Sequence, residues 1–138
     1  MYSVTKKMRF SYAHRLLNYR GKCELLHGHN GVAEITLSSE GLDKEDMVYD
    51  FTTIKAVVSE WVAEHLDHKI LLRKGDPLLP VLKEHGQACF VMDSNPTAER
   101  IAQTIFDVAL SKGLPVSEVT VWETESSCAT YHGKARGV

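Results

Sequence analysis

The stretch Cys23-Glu24-Leu25-Leu26-His27-Gly28-His29-Asn30-Gly31-Val32-Ala33-Glu34-Ile35-Thr36-Leu37 carries both a strand signal and a chemical one. From His27 to Leu37 it reads as a strand, with Val32, Ile35 and Leu37 among its apolar positions. Residues i and i+2 of a strand point to the same face, so His27 and His29 aim two imidazoles at one point. Gly28 between them allows backbone or ligand to approach closely. Imidazole pairs of this kind suit a divalent metal, most often zinc. Two are too few for a site, so a third ligand has to come from elsewhere. Cys23 places a thiol four residues before His27.

The third ligand comes into view one strand earlier. Val4 to His14 alternate loosely and end in aromatics, Phe10 and Tyr12, which predicts a first strand. A polar loop follows, with Gly21 near its end. If that loop returns the second strand antiparallel to the first, His14 faces His27 and His29. Three protein imidazoles leave a coordination position open for water or substrate, the mark of a catalytic zinc site. The alternative is three surface histidines beside a turn. A thiol beside zinc acts as base, nucleophile or fourth ligand; otherwise Cys23 is a small buried hydrophobe.

Further along, Thr52 or Thr53 to about His65 reads as a helix, with Ile54, Val57, Val58, Trp61, Val62 and Leu66 on one face. Met47 to Phe51 reads as short and extended, Arg73 to Gly86 as mostly loop, and Ala88 to Met92 as a short strand. Asn95 reads as an N-cap, with Pro96 opening a second helix that Gly113 stops. Val116 to Trp122 and Cys128 to His132 read as two closing strands. The order β-β-α-(β)-α-β-β predicts an α+β domain, two helices covering one face of a four- to five-stranded sheet. Its open edges and uncovered face call for oligomerisation.

Asp67-His68 lies where the first helix should end, a carboxylate beside an imidazole that it can orient. The plain alternative is a helix-end histidine favoured by the helix dipole. Glu123 ends a strand and precedes Thr124. A carboxylate there can take two parallel hydrogen bonds from an amidine-like ligand edge, or simply face solvent in a turn.

The 138 residues make one domain by length, spanning 1–138. The net charge of −2 gives no general basic surface, so no nucleic-acid partner is expected. No apolar run is long enough for a bilayer, and the first ten residues lack a signal-peptide core. Three cysteines with no Cys-x-x-Cys pair argue against a disulfide framework and point to a reducing, cytoplasmic setting. A phosphate loop, a Gly-x-Ser-x-Gly elbow and a His-Glu-x-x-His helix are absent from the sequence.

The segments Phe10-x-x-Ala13-His14, Cys23-x-x-x-His27-Gly28-His29, Val48-x-Asp50-Phe51-x-x-Ile54-Lys55, Leu66-Asp67-His68, Asn95-Pro96-Thr97-Ala98-Glu99 and Val121-x-Glu123-Thr124 occur in that order. Together they resemble the 6-pyruvoyltetrahydropterin synthase / 6-carboxytetrahydropterin synthase family, over about residues 4 to 132. The resemblance implies the tunnelling fold, an antiparallel β-β-α-α-β-β sheet with two helices on one face. It also implies assembly into an oligomeric barrel, a homohexamer of stacked trimers with active sites between subunits. It implies zinc held by His14, His27 and His29, Cys23 as general base, and Asp67-His68 in support of proton transfer. Glu123, with Thr124 beside it, would hold the pterin ring of 7,8-dihydroneopterin triphosphate. The product would be 6-carboxytetrahydropterin in queuosine synthesis, with acetaldehyde and triphosphate released. The alternatives are 6-pyruvoyltetrahydropterin, or zinc and pterin binding without turnover. The chain departs from the family pattern at Leu72, where Asn is common, at Asp46, where Gly is common, and at Gly31, where an aromatic is common. Its segment Lys74 to Val91 is also longer than in compact members.

Overall fold

A computed structural model describes residues 1–133. Strands β1 (Tyr2–His14) and β2 (His27–Ser39) form a long antiparallel pair in unbroken register, from Tyr2 opposite Ser39 to His14 opposite His27. Alternation explains their faces. Met8, Phe10, Tyr12 and His14 are buried on the same side as Ala33, Ile35 and Leu37, while Lys7 and Arg9 project from the other side.

The chain then turns through Asp46, whose φ of 63° is left-handed. Asp tolerates that region because its short side chain bonds locally, which accounts for an acid where glycine is common. Met47 to Phe51 forms no strand. Asp50 instead caps helix α1 (Phe51–Ile54), its carboxylate accepting from the Thr52 N–H at 2.7 Å. The helix runs on through a wide π turn (Lys55–Ser59) into α2 (Glu60–His65). Its buried residues, Ile54, Val58, Val62 and Leu66, fall every fourth position. In an ordinary α-helix that spacing drifts about 40° per step, and the wider turn takes up part of the drift.

The following segment departs from expectation. Strand β3 (Lys69–Arg73), helix α3 (Leu78–Glu84) and strand β4 (Cys89–Met92) form a parallel β-α-β unit, in place of the expected loop and single strand. Pro80 is tolerated because it sits in the first turn of α3, whose N–H groups have no intrahelical partner. Leu72, fully buried in β3, occupies the position where Asn is common. Helix α4 (Ala98–Ser111) begins after Thr97, not after Asn95. The Thr97 hydroxyl accepts from the Arg100 N–H at 3.2 Å. Strands β5 (Val116–Trp122) and β6 (Cys128–Tyr131) close the chain.

The described residues form a six-stranded sheet in the order β4-β3-β1-β2-β5-β6. It is mixed rather than antiparallel throughout, because β3 runs parallel to both β1 and β4. The helix carrying Ile54, Val58, Val62 and Leu66 and helix α4, through Ile101, Ala102, Ile105 and Ala109, join one apolar core with the sheet. The expected boundary at residue 138 lies outside the described residues. The described residues contain no helix long and apolar enough to cross a membrane.

Candidate metal centre and active site

The register of β1 on β2 puts His14 opposite His27, with His29 across from Tyr12. All three imidazoles therefore meet on the helix-covered side. Their candidate ligand nitrogens lie within 4.8 Å of one another. Two of the rings are held in a definite tautomer. His14 Nδ1–H donates to the Pro96 carbonyl at 2.7 Å, and His27 Nδ1–H donates to the Leu25 carbonyl at 2.7 Å. Each thus turns its Nε2 lone pair inward, and these two atoms lie 3.1 Å apart. Two nitrogens at about 2.0–2.1 Å from one tetrahedral zinc would be separated by roughly 3.3 Å, so the spacing fits. Backbone carbonyls that fix a ligand's tautomer are the usual support of a metal-binding histidine.

His14 is buried, and desolvation lowers its pKa. The Pro96 carbonyl and Glu123 oppose that effect, and His27 and His29 add to it. The net shift keeps the ring neutral, the form that binds metal. Nitrogen donors of this kind suit a borderline divalent ion such as zinc.

Of the three imidazoles, His14 lines a cavity of about 330 Å³ together with Tyr19, Cys23, Thr97, Glu123 and Cys128 among others. Cys23 is half-buried in a short 3-10 turn, Lys22–Glu24. Glu123 brings Oε1 to 3.9 Å from His14 Nε2. Thr124 is exposed beside it and opens onto a second groove, which Glu123 and His29 also line with Lys7, Arg9 and Glu34.

Asp67 and His68 do pair, with His68 Nδ1 2.9 Å from Asp67 Oδ2. Asp67 is braced from behind, its other oxygen accepting from the Ser11 N–H at 2.7 Å. Burial opposes ionisation of Asp67, but the Ser11 N–H, His68 and Lys69 outweigh it and hold the carboxyl below its usual range. His68, with a φ of 58°, shares a shallow depression with Ser11, Ala13, Gly28 and Asn30. Tyr12 and His29 also line that depression, but Cys23 does not, and His68 does not line the cavity that holds Cys23.

Several functional neighbours have no signal in the sequence. The Pro96 and Leu25 carbonyls are backbone atoms. Asn95 does not cap a helix, as its pattern suggests, but bonds the backbone of Leu17. Arg15, next to His14, forms a two-point ion pair with the buried carboxylate of Asp76. Tyr12 lies over Gly31, where a Cβ would come within 2.9 Å of Tyr12 Cε1. The aromatic missing at 31 is thus supplied from the neighbouring strand.

The 6-pyruvoyl tetrahydropterin synthase profile matches residues 3–134. The chain belongs to that family. It is 38% identical over 104 residues to the 6-carboxy-5,6,7,8-tetrahydropterin synthase of Rickettsia bellii, covering 74% of this chain and 75% of that one. It is 32% identical to the enzyme of the same name from Aquifex aeolicus, covering 94% and 97%. Among solved structures, an uncharacterised protein from Wolinella succinogenes matches at TM-score 0.81 and 25% identity, covering 96% and 98%. The Caenorhabditis elegans 6-pyruvoyl tetrahydropterin synthase matches at TM-score 0.73 and 26% identity, with 96% of each chain covered. The tunnelling fold and a tetrahydropterin-synthase class of lyase follow from these matches together with the sheet order.

Proposed function

We propose that this chain is a zinc-dependent 6-carboxytetrahydropterin synthase. It would convert 7,8-dihydroneopterin triphosphate and water to 6-carboxytetrahydropterin, acetaldehyde and triphosphate, a step of queuosine synthesis. The observation that carries the reading is the three-imidazole cluster, whose His14 lines a cavity that also holds a thiol and a carboxylate. The names of the relatives supply the product.

His14, His27 and His29 would hold the metal, which supplies Lewis acidity toward the hydroxyls of the substrate side chain. Cys23 would take a proton from a side-chain carbon. His68, oriented by Asp67, would return one. Glu123 would accept two parallel hydrogen bonds from the pterin's amino and ring N–H groups, with Thr124 at its side. Because His68 and Cys23 of one chain line separate depressions, the His68 serving a given Cys23 would come from a neighbouring subunit. The four-residue edge strands β4 and β6 offer free rims for closing the barrel of a homohexamer. Three free cysteines among the described residues suit a reducing cytoplasm.

The test is incubation of the metal-loaded protein with 7,8-dihydroneopterin triphosphate. The expected result is stoichiometric acetaldehyde and 6-carboxytetrahydropterin. Cys23→Ala should keep the metal and lose at least about a hundredfold in rate. Triphosphate release without acetaldehyde would assign the pyruvoyl-forming reaction instead. Metal and pterin binding without turnover would assign a non-catalytic role.

A further inference from the structure

The link between β4 and α4 reaches the candidate site at two points. Thr97, rather than Asn95, caps α4. The Asn95 side chain is therefore available for another task. Its Oδ1 accepts from the Leu17 N–H at 2.9 Å, and its Nδ2 donates to the Leu17 carbonyl at 2.9 Å. This two-point bond copies one rung of an antiparallel ladder. It grips a loop that the Leu16 N–H closes on the Cys23 carbonyl at 2.9 Å. The next residue, Pro96, offers its carbonyl to His14 Nδ1–H at 2.7 Å. Two consecutive residues thus hold the metal-facing imidazole of β1 and the loop carrying the thiol.

We propose that Asn95-Pro96 is the positioning element of the site, setting Cys23 against the imidazole cluster through one side-chain amide and one carbonyl. The residue types fit the task. An amide carries both a donor and an acceptor at one reach, whereas Asp offers acceptors only. Proline fixes its own φ and so the direction of the chain around its carbonyl. The loop needs such a grip, because between β1 and the short turn at Cys23 it has no regular structure, and Asn18 is left-handed with φ 58°. A freely moving thiol loses the near-attack geometry on which rate depends. Asn95 is a positioning residue rather than a catalytic one, since it acts through Leu17 and the loop.

The proposal rests on Cys23 being the working thiol of the proposed reaction, yet its test has an arm that needs no substrate. In the metal-loaded protein, Asn95→Ala should keep full metal content. Iodoacetamide should alkylate its Cys23 about tenfold faster, with Cys89 and Cys128 unchanged as internal references. With the pterin triphosphate, kcat should fall about thirtyfold while KM stays within about threefold. Asn95→Asp, nearly the same volume, keeps the bond to the Leu17 N–H and loses the one to its carbonyl. It should fall between wild type and Asn95→Ala in both readouts. Unchanged Cys23 alkylation in both variants would overturn the proposal, as would equal acceleration at Cys89 and Cys23. If wild type fails to turn over the pterin, the functional reading fails, and the alkylation pattern still decides the positioning role.

Discussion

The imidazole cluster and the Asp67–His68 pair are built to different standards. On the helix-covered face, two imidazoles are locked by backbone carbonyls, and the adjoining loop is held by Asn95 and by the Arg15–Asp76 pair. His68, by contrast, has an 81% exposed side chain and one carboxylate for company. The imidazole cluster comes together within one chain, while the His68 side chain lies open to solvent. On the proposed reading, the difference separates a metal-binding cluster that folding alone would assemble from proton transfer that assembly would supply.

The strongest way to break this division is to divide the site between chains. Cys23→Ala and His68→Ala should each lose about a hundredfold or more in turnover while keeping metal. Dissociating, mixing and reassembling the two should restore about a quarter of wild-type activity, since a random half of each contributing residue is intact. No recovery would place both residues of a working site in the same chain. A smaller effect sharpens the contrast in stability. Asp76→Ala should cost about 3 kcal/mol in urea unfolding, because Arg15 is left without its partner, whereas His68→Ala should stay within about 0.5 kcal/mol. Arg15 holds the Asp76 carboxyl below its usual range, against the cost of burial and with help from the Leu78 N–H. A depressed carboxylate stabilises the fold above its unfolded pKa, and the gain is lost as pH falls through the folded value. Wild type should therefore lose stability below about pH 4, and Asp76→Asn should show less of that acid slope. The smallest effect concerns Tyr12, whose buried hydroxyl has no hydrogen-bond partner among the described residues. Tyr12→Phe should leave metal content unchanged and alter stability by no more than about 1 kcal/mol, in the stabilising direction.

How far the sequence can be read follows from the kind of interaction involved. The register of β1 and β2, and with it the meeting of three histidines, is written in alternation and i, i+2 spacing, both local properties. Strand β3 is hidden because Lys69-Ile70-Leu71-Leu72-Arg73 is a short apolar run between parallel neighbours, which gives no alternation to detect. Helix α3 is hidden because Gly75, Pro77 and Pro80 resemble a loop, although a proline in a first turn breaks no bond. Asn95-Pro96 matches a capping pattern, and only the tertiary fold shows the amide bonded to Leu17. Where His68 emerges depends on the wide helix and the left-handed turn before β3, whose combined rotation no periodicity reports.

The seating of Tyr12 over Gly31 constrains the history of this strand pair. A chain that gained a side chain at 31 first would meet the Tyr12 ring at 2.9 Å and the Phe10 carbonyl oxygen at 3.2 Å. A chain that first shortened residue 12 would carry a cavity costing about 3–5 kcal/mol until 31 filled it. Only the latter order avoids a clash, so the two positions evolve as a couple. Side-chain volume at 12 and 31 should vary inversely across related chains, with the aromatic passing from strand to strand beside the imidazoles.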